Sequence, residues 1–156
     1  MPLGEQDRSR WDTSLITEGV MILQAALARD RLGEYQAQAA IAALHADARS
    51  PSETDWAQIV EWYDELLLLT GSPVVRLNRT VAFGEADGPQ VGLAALAEVS
   101  ADLPRYAAVK AYLHERAGDL QHAAELYAEA SRAATSVPER DHLTREAARV
   151  RQQLRP

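Results

Sequence analysis

The stretch Gly118-Asp119-Leu120-Gln121-His122-Ala123-Ala124-Glu125-Leu126-Tyr127-Ala128-Glu129-Ala130 reads as a turn followed by an amphipathic helix. Gly118-Asp119 is the turn. Ala123, Tyr127 and Ala130 follow at spacings of four and three, so they share one helical face. That face is small where a neighbouring helix must come close and large where a gap must be filled. Such a helix belongs to a stacked helical hairpin, and it points to a scaffold that binds a partner rather than to a chain built around a reactive site.

Working outward, the rest of the chain supports an all-α reading. Its 156 residues are enough for one domain or one repeat array with a sizeable core. The apolar residues are mainly Ala and Leu with a single Phe, which favours helix over strand. Turn signals at Ser50-Pro51-Ser52, Gly71-Ser72-Pro73, Asp87-Gly88-Pro89, Leu103-Pro104 and Gly118-Asp119 divide the chain into about eight short helices. The expected spans are Asp12 to Arg29, Tyr35 to Ala48 after a connection ending at Gly33, Trp56 to Leu69, and Pro73 towards Glu85. Gln90 to Ala101, a helix carrying Tyr106 to Leu113, Leu120 to Ala134, and Pro138 to Leu154 complete the set.

Helices of similar length joined by short turns predict antiparallel hairpins stacked side by side. The turns Ala86 to Pro89 and Ala117 to Asp119 recur about thirty residues apart, close to the tetratricopeptide (TPR) period. The expectation is a right-handed TPR-like α-solenoid of three or four hairpins over residues 12–156, capped by the last helix, with residues 1–11 as an N-terminal arm. An irregular helical bundle is the alternative. In the sixth helix, Ala107 and Lys110 stand where the repeat prefers large apolar residues.

Several function classes lose their basis at this level. A net charge of −7 argues against the whole chain binding nucleic acid electrostatically. The Arg-rich end from Arg132 to Arg155 reads as a solvated helix face, with a DNA-binding patch as the weaker alternative. The lack of Cys removes disulfides, thiol nucleophiles and Cys-based zinc sites. No apolar run is long enough for a membrane span and the N-terminus lacks a signal-peptide pattern, so a cytoplasmic location is expected. His45, His114, His122 and His142 do not form a zincin pair, and no phosphate-cradling loop or nucleophile elbow occurs. His45 is expected to be a half-buried packing residue and the other three to lie at the surface. No catalytic residue, cofactor or metal ligand is therefore expected. A small-molecule sensor or hydrolase with a pocket near His45 and Asp55 is the competing class.

Two segments stand out as binding candidates. Arg76, Asn78 and Arg79 lie on the helix opened by Pro73, where they either hold carboxylates of a bound segment or brace adjacent hairpins. Asp7-Arg8-Ser9-Arg10-Trp11-Asp12 reads as an anchoring arm around one Trp, or as a simple staple for the first helix.

Gln6 to Asp12 also resembles a motif of bacterial extracytoplasmic-function RNA polymerase sigma factors that carry a C-terminal TPR-like extension. Tyr35 to Ala46, Thr54-Asp55-Trp56, Ser72 to Ala82 and Gly88 to Leu93 are similar to the same family, and their joint order extends the resemblance over Gln6 to Leu154. The resemblance implies the extension alone, with the two promoter-reading sigma regions ahead of it. It implies a non-enzymatic regulatory module whose partners are the sigma core regions or RNA polymerase, with no direct nucleic-acid or membrane contact. In that reading Asp7, Arg8, Arg10, Trp11 and Asp12 form the domain junction. Gln36, His45, Arg76, Asn78 and Arg79 line a receiving surface for a protein segment.

Overall fold

The computed structural model describes residue 18, residues 20–22 and residues 32–156. Residues 18 and 20–22 are helical, in the region expected to form the first helix, and Val20 and Ile22, expected on its apolar face, are exposed. The arm residues Asp7, Arg8, Arg10, Trp11 and Asp12 lie outside the described residues. Among the described residues there are seven α-helices, a single 3-10 turn and no strand. They fall into two compact units, residues 1–71 and residues 72–156.

In the first unit, α1 (Leu32–Asp47) and α2 (Trp56–Thr70) pack as a hairpin across a 3-10 turn at Pro51–Glu53. Ala37 and Ile41 of α1 and Ile59 and Leu66 of α2 are buried. The Asp55 carboxylate accepts the Gln58 backbone N–H at 3.1 Å and so caps the start of α2. Gly71, with φ of 60°, ends the helix in the left-handed conformation that a Cβ disfavours. Gly33 does not end a connection, as expected from sequence, but sits inside α1. A Cβ there would lie 3.1 Å from Leu69 Cδ1, so the glycine permits a close approach of α1 to α2.

The second unit holds α3 (Pro73–Asp87), α4 (Pro89–Leu96), α5 (Tyr106–Arg116), α6 (Leu120–Ala133) and α7 (Val137–Gln153). Four of the five starts are explained by local chemistry, α5 being the exception. Ser72, Asp119 and Ser136 cap α3, α6 and α7 with their side-chain oxygens, and Pro occupies the first turn of α3, α4 and α7. Helices α3 and α4 form one hairpin, α5 and α6 a second, and α7 packs along α6. The expected helix from Gln90 to Ala101 stops at Leu96 instead. Past it, the Glu98 and Val99 N–H groups bond to the carbonyls of Ala95 and Leu96, three residues back, and this tighter turn brings Val99 into the core.

Two glycines set the first of these hairpins. A Cβ on Gly92 would lie 2.9 Å from the Thr80 carbonyl oxygen and 3.0 Å from Gly84 Cα, so α3 and α4 touch backbone to backbone. Leu113 of α5, wholly buried, is pressed over the same spot: its Cδ2 would stand 2.5 Å from a Cβ on Gly84 and 2.8 Å from one on Gly92. Leu77, Leu96, Val99 and Val109 complete that core. The second hairpin and α7 share another core, in which Ala123, Tyr127 and Ala130 meet Leu143, Ala147 and Val150. The face read from the sequence at α6 is buried as expected.

Gly92→Ala should destabilise the protein by about 1–3 kcal/mol in urea unfolding, because a Cβ there would meet two backbone atoms that cannot yield as well as the end of Leu113. Gly84→Ala should cost less, since its chief obstacle is the end of a Leu side chain. Equal costs would contradict the backbone contact between α3 and α4.

Candidate functional site

The site candidate is a groove in the second unit, built from α3, α5, α6 and α7. Its floor is aliphatic: Val81 of α3, Ala108 and Val109 of α5, and Leu143 of α7. Tyr112 and Tyr127 face it from α5 and α6, and Glu139, His142 and Glu146 line it from α7. The cavity holds about 440 Å³. A second cavity of about 370 Å³ shares Arg105, Ala108, Glu139 and Leu143 with it, so the two adjoin. The second is walled by Ala107, Ala130, Ala133 and Ala134, residues too small to fill the space between α5 and α6.

A repeated set of polar contacts ties the groove's helices together. Glu85 near the end of α3 accepts the Tyr112 hydroxyl and lies 3.4 Å from the Arg116 guanidinium on α5. About thirty residues later, Glu115 near the end of α5 accepts the Tyr127 hydroxyl of α6 at 3.0 Å and an Arg149 N–H from α7 at 2.7 Å. Arg149 also donates to Glu146 at 2.6 Å. These hydrogen bonds, first from Glu146 and then from Glu115, hold the guanidinium still more firmly in its charged form. Burial, reinforced by Glu85 at Tyr112 and by Glu115 at Tyr127, pushes both phenols well above the ordinary tyrosine range. Both hydroxyls are thus engaged as donors, and neither is poised as a base or nucleophile.

Arg105 stands where the two cavities meet. It is the N-cap of α5, has φ of 70°, and is the single non-glycine residue with positive φ among the described residues. Such a conformation costs on the order of 1–3 kcal/mol and persists only where the surroundings impose it. The Val109 N–H to Arg105 carbonyl bond at 2.9 Å and the Tyr106 N–H to Leu103 carbonyl bond at 3.1 Å impose it here.

The residues singled out from sequence are distributed differently. Arg76, Asn78 and Arg79 share α3, but none lines either cavity. Arg76 is exposed, Asn78 is half-buried, and the Arg79 guanidinium lies 4.4 Å from the Phe83 ring centroid in a cation–π contact. Gln36 and His45 belong to α1 in the other unit. Gln36 is exposed, and His45 is half-buried with its ring edge-on to Trp56 at 5.3 Å, a packing contact within the α1–α2 hairpin. Asp55, named with His45 for a possible pocket, has both oxygens engaged by Gln58, one by its backbone and one by its side chain. Sequence reasoning missed Arg105, Tyr112, Glu139 and His142 as site residues. The αL backbone of Arg105 leaves no composition signal, and the others converge only once α5 and α7 are placed.

Of the three histidines expected at the surface, His142 is exposed, while His114 is largely covered, its side chain 19% accessible. Its ring meets that of His122 edge-on at 4.5 Å, and its Nδ1 lies 3.4 Å from Asp119. No group of three or more potential metal ligands occurs among the described residues. Burial, then the positive charge His122 can carry, holds His114 below its ordinary value of 6.5; Lys110 acts the same way and Asp119 opposes them.

A histidine whose pKa is lowered by folding contributes its full stability above about pH 6.5 and loses it as pH falls through the lowered value. Melting temperature should therefore decline on acidification below about pH 6.5. His122→Gln should flatten that decline by removing the second cation. An unchanged acid limb in the variant would show that the histidine contact does not set it.

No protein-family model matches the chain, and no solved structure matches it. It is similar to an uncharacterised protein of Rhizobium meliloti (strain 1021), 44% identical over 104 residues, which is 67% of this chain and 25% of that protein. The match thus spans about a quarter of that relative's length. Among the described residues no helix is long and apolar enough to cross a membrane.

Proposed function

We propose that this chain is a non-enzymatic protein-interaction module, the C-terminal extension of an extracytoplasmic-function sigma factor. It would modulate transcription initiation by contacts with the sigma core regions or RNA polymerase. The observation that carries this reading is the joint order of the sequence segments at Gln6 to Asp12, Tyr35 to Ala46, Thr54 to Trp56, Ser72 to Ala82 and Gly88 to Leu93. Each alone is a weak signal; five in one order over one chain are not.

Three features support it. The described helices pack as hairpins, the architecture that presents grooves to protein segments. The groove of the second unit has an aliphatic floor and two tyrosines whose hydroxyls are already engaged by carboxylates, which suits binding better than proton transfer by those phenols. The similar Rhizobium protein extends well beyond the matched residues, as a module joined to further domains would require. In this proposal Arg8, Arg10 and Trp11 fix the junction with the sigma regions, flanked by Asp7 and Asp12. Exposed Arg76 and Gln36, with Asn78 and Arg79, contribute polar contacts to the partner, and His45 acts by holding Trp56 in place.

In the longer protein carrying the sigma regions, Trp11→Ala with Arg76→Ala should lower promoter-dependent transcription in a purified polymerase assay while helicity stays unchanged. Normal transcription by that double variant would refute the assigned roles.

A further inference from the structure

We infer that the groove of the second unit receives a cationic amphipathic protein segment, one that lays an apolar stripe on the alanine and tyrosine walls and directs Lys or Arg side chains to the rim. This rests on the interaction-module reading and adds the chemistry of the partner. The combined cavities are lined by four carboxylates, Asp102, Glu129, Glu139 and Glu146, against one guanidinium, that of Arg105, and one imidazole, that of His142. Glu146 is answered by Arg149. Asp102, Glu129 and Glu139 form no ion pair with a described cation, and Asp102 and Glu129 are exposed.

The shape and the charge point to the same occupant. Five alanines, Ala107, Ala108, Ala130, Ala133 and Ala134, leave an apolar trough between α5, α6 and the start of α7. A trough walled by methyl groups and rimmed by acids would bury leucine-sized side chains and attract flanking ammonium or guanidinium groups. A segment with carboxylates would meet the negative charges of Asp102, Glu129 and Glu139 and gain only Arg105 and His142. The polarity is therefore opposite to that expected from Arg76, Asn78 and Arg79, which would receive a carboxylate on α3 outside these cavities.

The test is fluorescence anisotropy with the full chain and a fluorescein-labelled helical peptide of Leu and Lys, about 15 residues long with the Lys residues on one face. Its counterpart carries Glu for Lys. The Lys peptide should bind, and binding should weaken with added salt. Asp102→Lys with Glu129→Lys should weaken it by about tenfold or more, and Glu61→Lys with Glu65→Lys, the same charge change in the other unit, should not. Ala108→Leu, which fills the junction of the cavities, should also abolish binding, with unchanged circular dichroism showing that the fold persists. Absence of Lys-peptide binding, equal binding of the Glu peptide, or indifference to Asp102→Lys with Glu129→Lys would overturn the inference. If those results came with reduced transcription by the Trp11→Ala, Arg76→Ala protein, the sigma-extension reading would stand without this groove chemistry. Binding as expected with normal transcription would separate them in the other direction.

Discussion

The second unit depends on one close contact, the meeting of α3 and α4 at Gly84 and Gly92 beneath Leu113. With the Gly92 position only 2.9 Å from a Thr80 carbonyl and 3.0 Å from Gly84 Cα, no Cβ fits between the two backbones. The gap that remains is closed by a single side chain from the next hairpin. Burying Leu113 contributes about 1.5–3 kcal/mol and, more importantly, fixes the rotation and depth of α5. Everything on the neighbouring faces of α5 is placed by that rotation. Tyr112, one position before Leu113, reaches Glu85 of α3, and Glu115, two positions after it, reaches Tyr127 and Arg149 on the next two helices.

The polar contacts then act on a register that packing has already set. The ion pair of Arg116 with Glu85 is half exposed on the arginine side, and such pairs contribute about 0–1 kcal/mol at most. The tyrosine hydroxyls matter more, since each is partly buried and would lose its acceptor if the carboxylate were removed. Glu85 and Glu115 thus play the same role in successive hairpins: each takes a hydroxyl from a neighbouring helix and steadies the wall of the groove. Gly88 and Gly118, likewise about thirty residues apart, both have positive φ. The repeat is legible in these turn and bracing residues more than in the apolar positions.

How much could be read beforehand follows from which forces are local. Caps, prolines and turn glycines act within a few residues, so α2, α3, α6 and α7 start close to where Asp55, Ser72-Pro73, Asp119 and Pro138 place them. The buried face of Ala123, Tyr127 and Ala130 and the half-buried His45 were also legible, because helical spacing alone determines which side chains cluster. Gly33 misled because a glycine at a helix contact looks in sequence like a glycine in a turn. Leu96 ended α4 early because the burial of Val99 favoured a tighter turn over continued helix. The groove was not legible, since its lining comes from four helices and depends on the rotation that Leu113 imposes.

The alanines of α5 show most plainly how an apparent defect in a pattern becomes a feature of the surface. Ala107 stands where the hairpin pattern favours a large apolar residue, and on sequence grounds that reads as a weakened repeat. In the folded unit Ala107 and Ala108 face Ala130, Ala133 and Ala134, and the missing volume is the second cavity. Filling such a space with larger side chains would recover buried area and remove a void that costs stability. The unit instead keeps it open, with Leu143 lining it and Tyr127 buried in the adjoining core. Arg105 carries the same signature, because its left-handed backbone is a local cost sustained at the point where both cavities meet. A fold that needed only to be stable would have little use for either, whereas a fold that receives another chain needs a rigid frame around unfilled apolar space. If the unit receives a partner segment as proposed, that combination suits the trough bounded by α5, α6 and the start of α7, with exposed Arg76 on α3 as a separate contact.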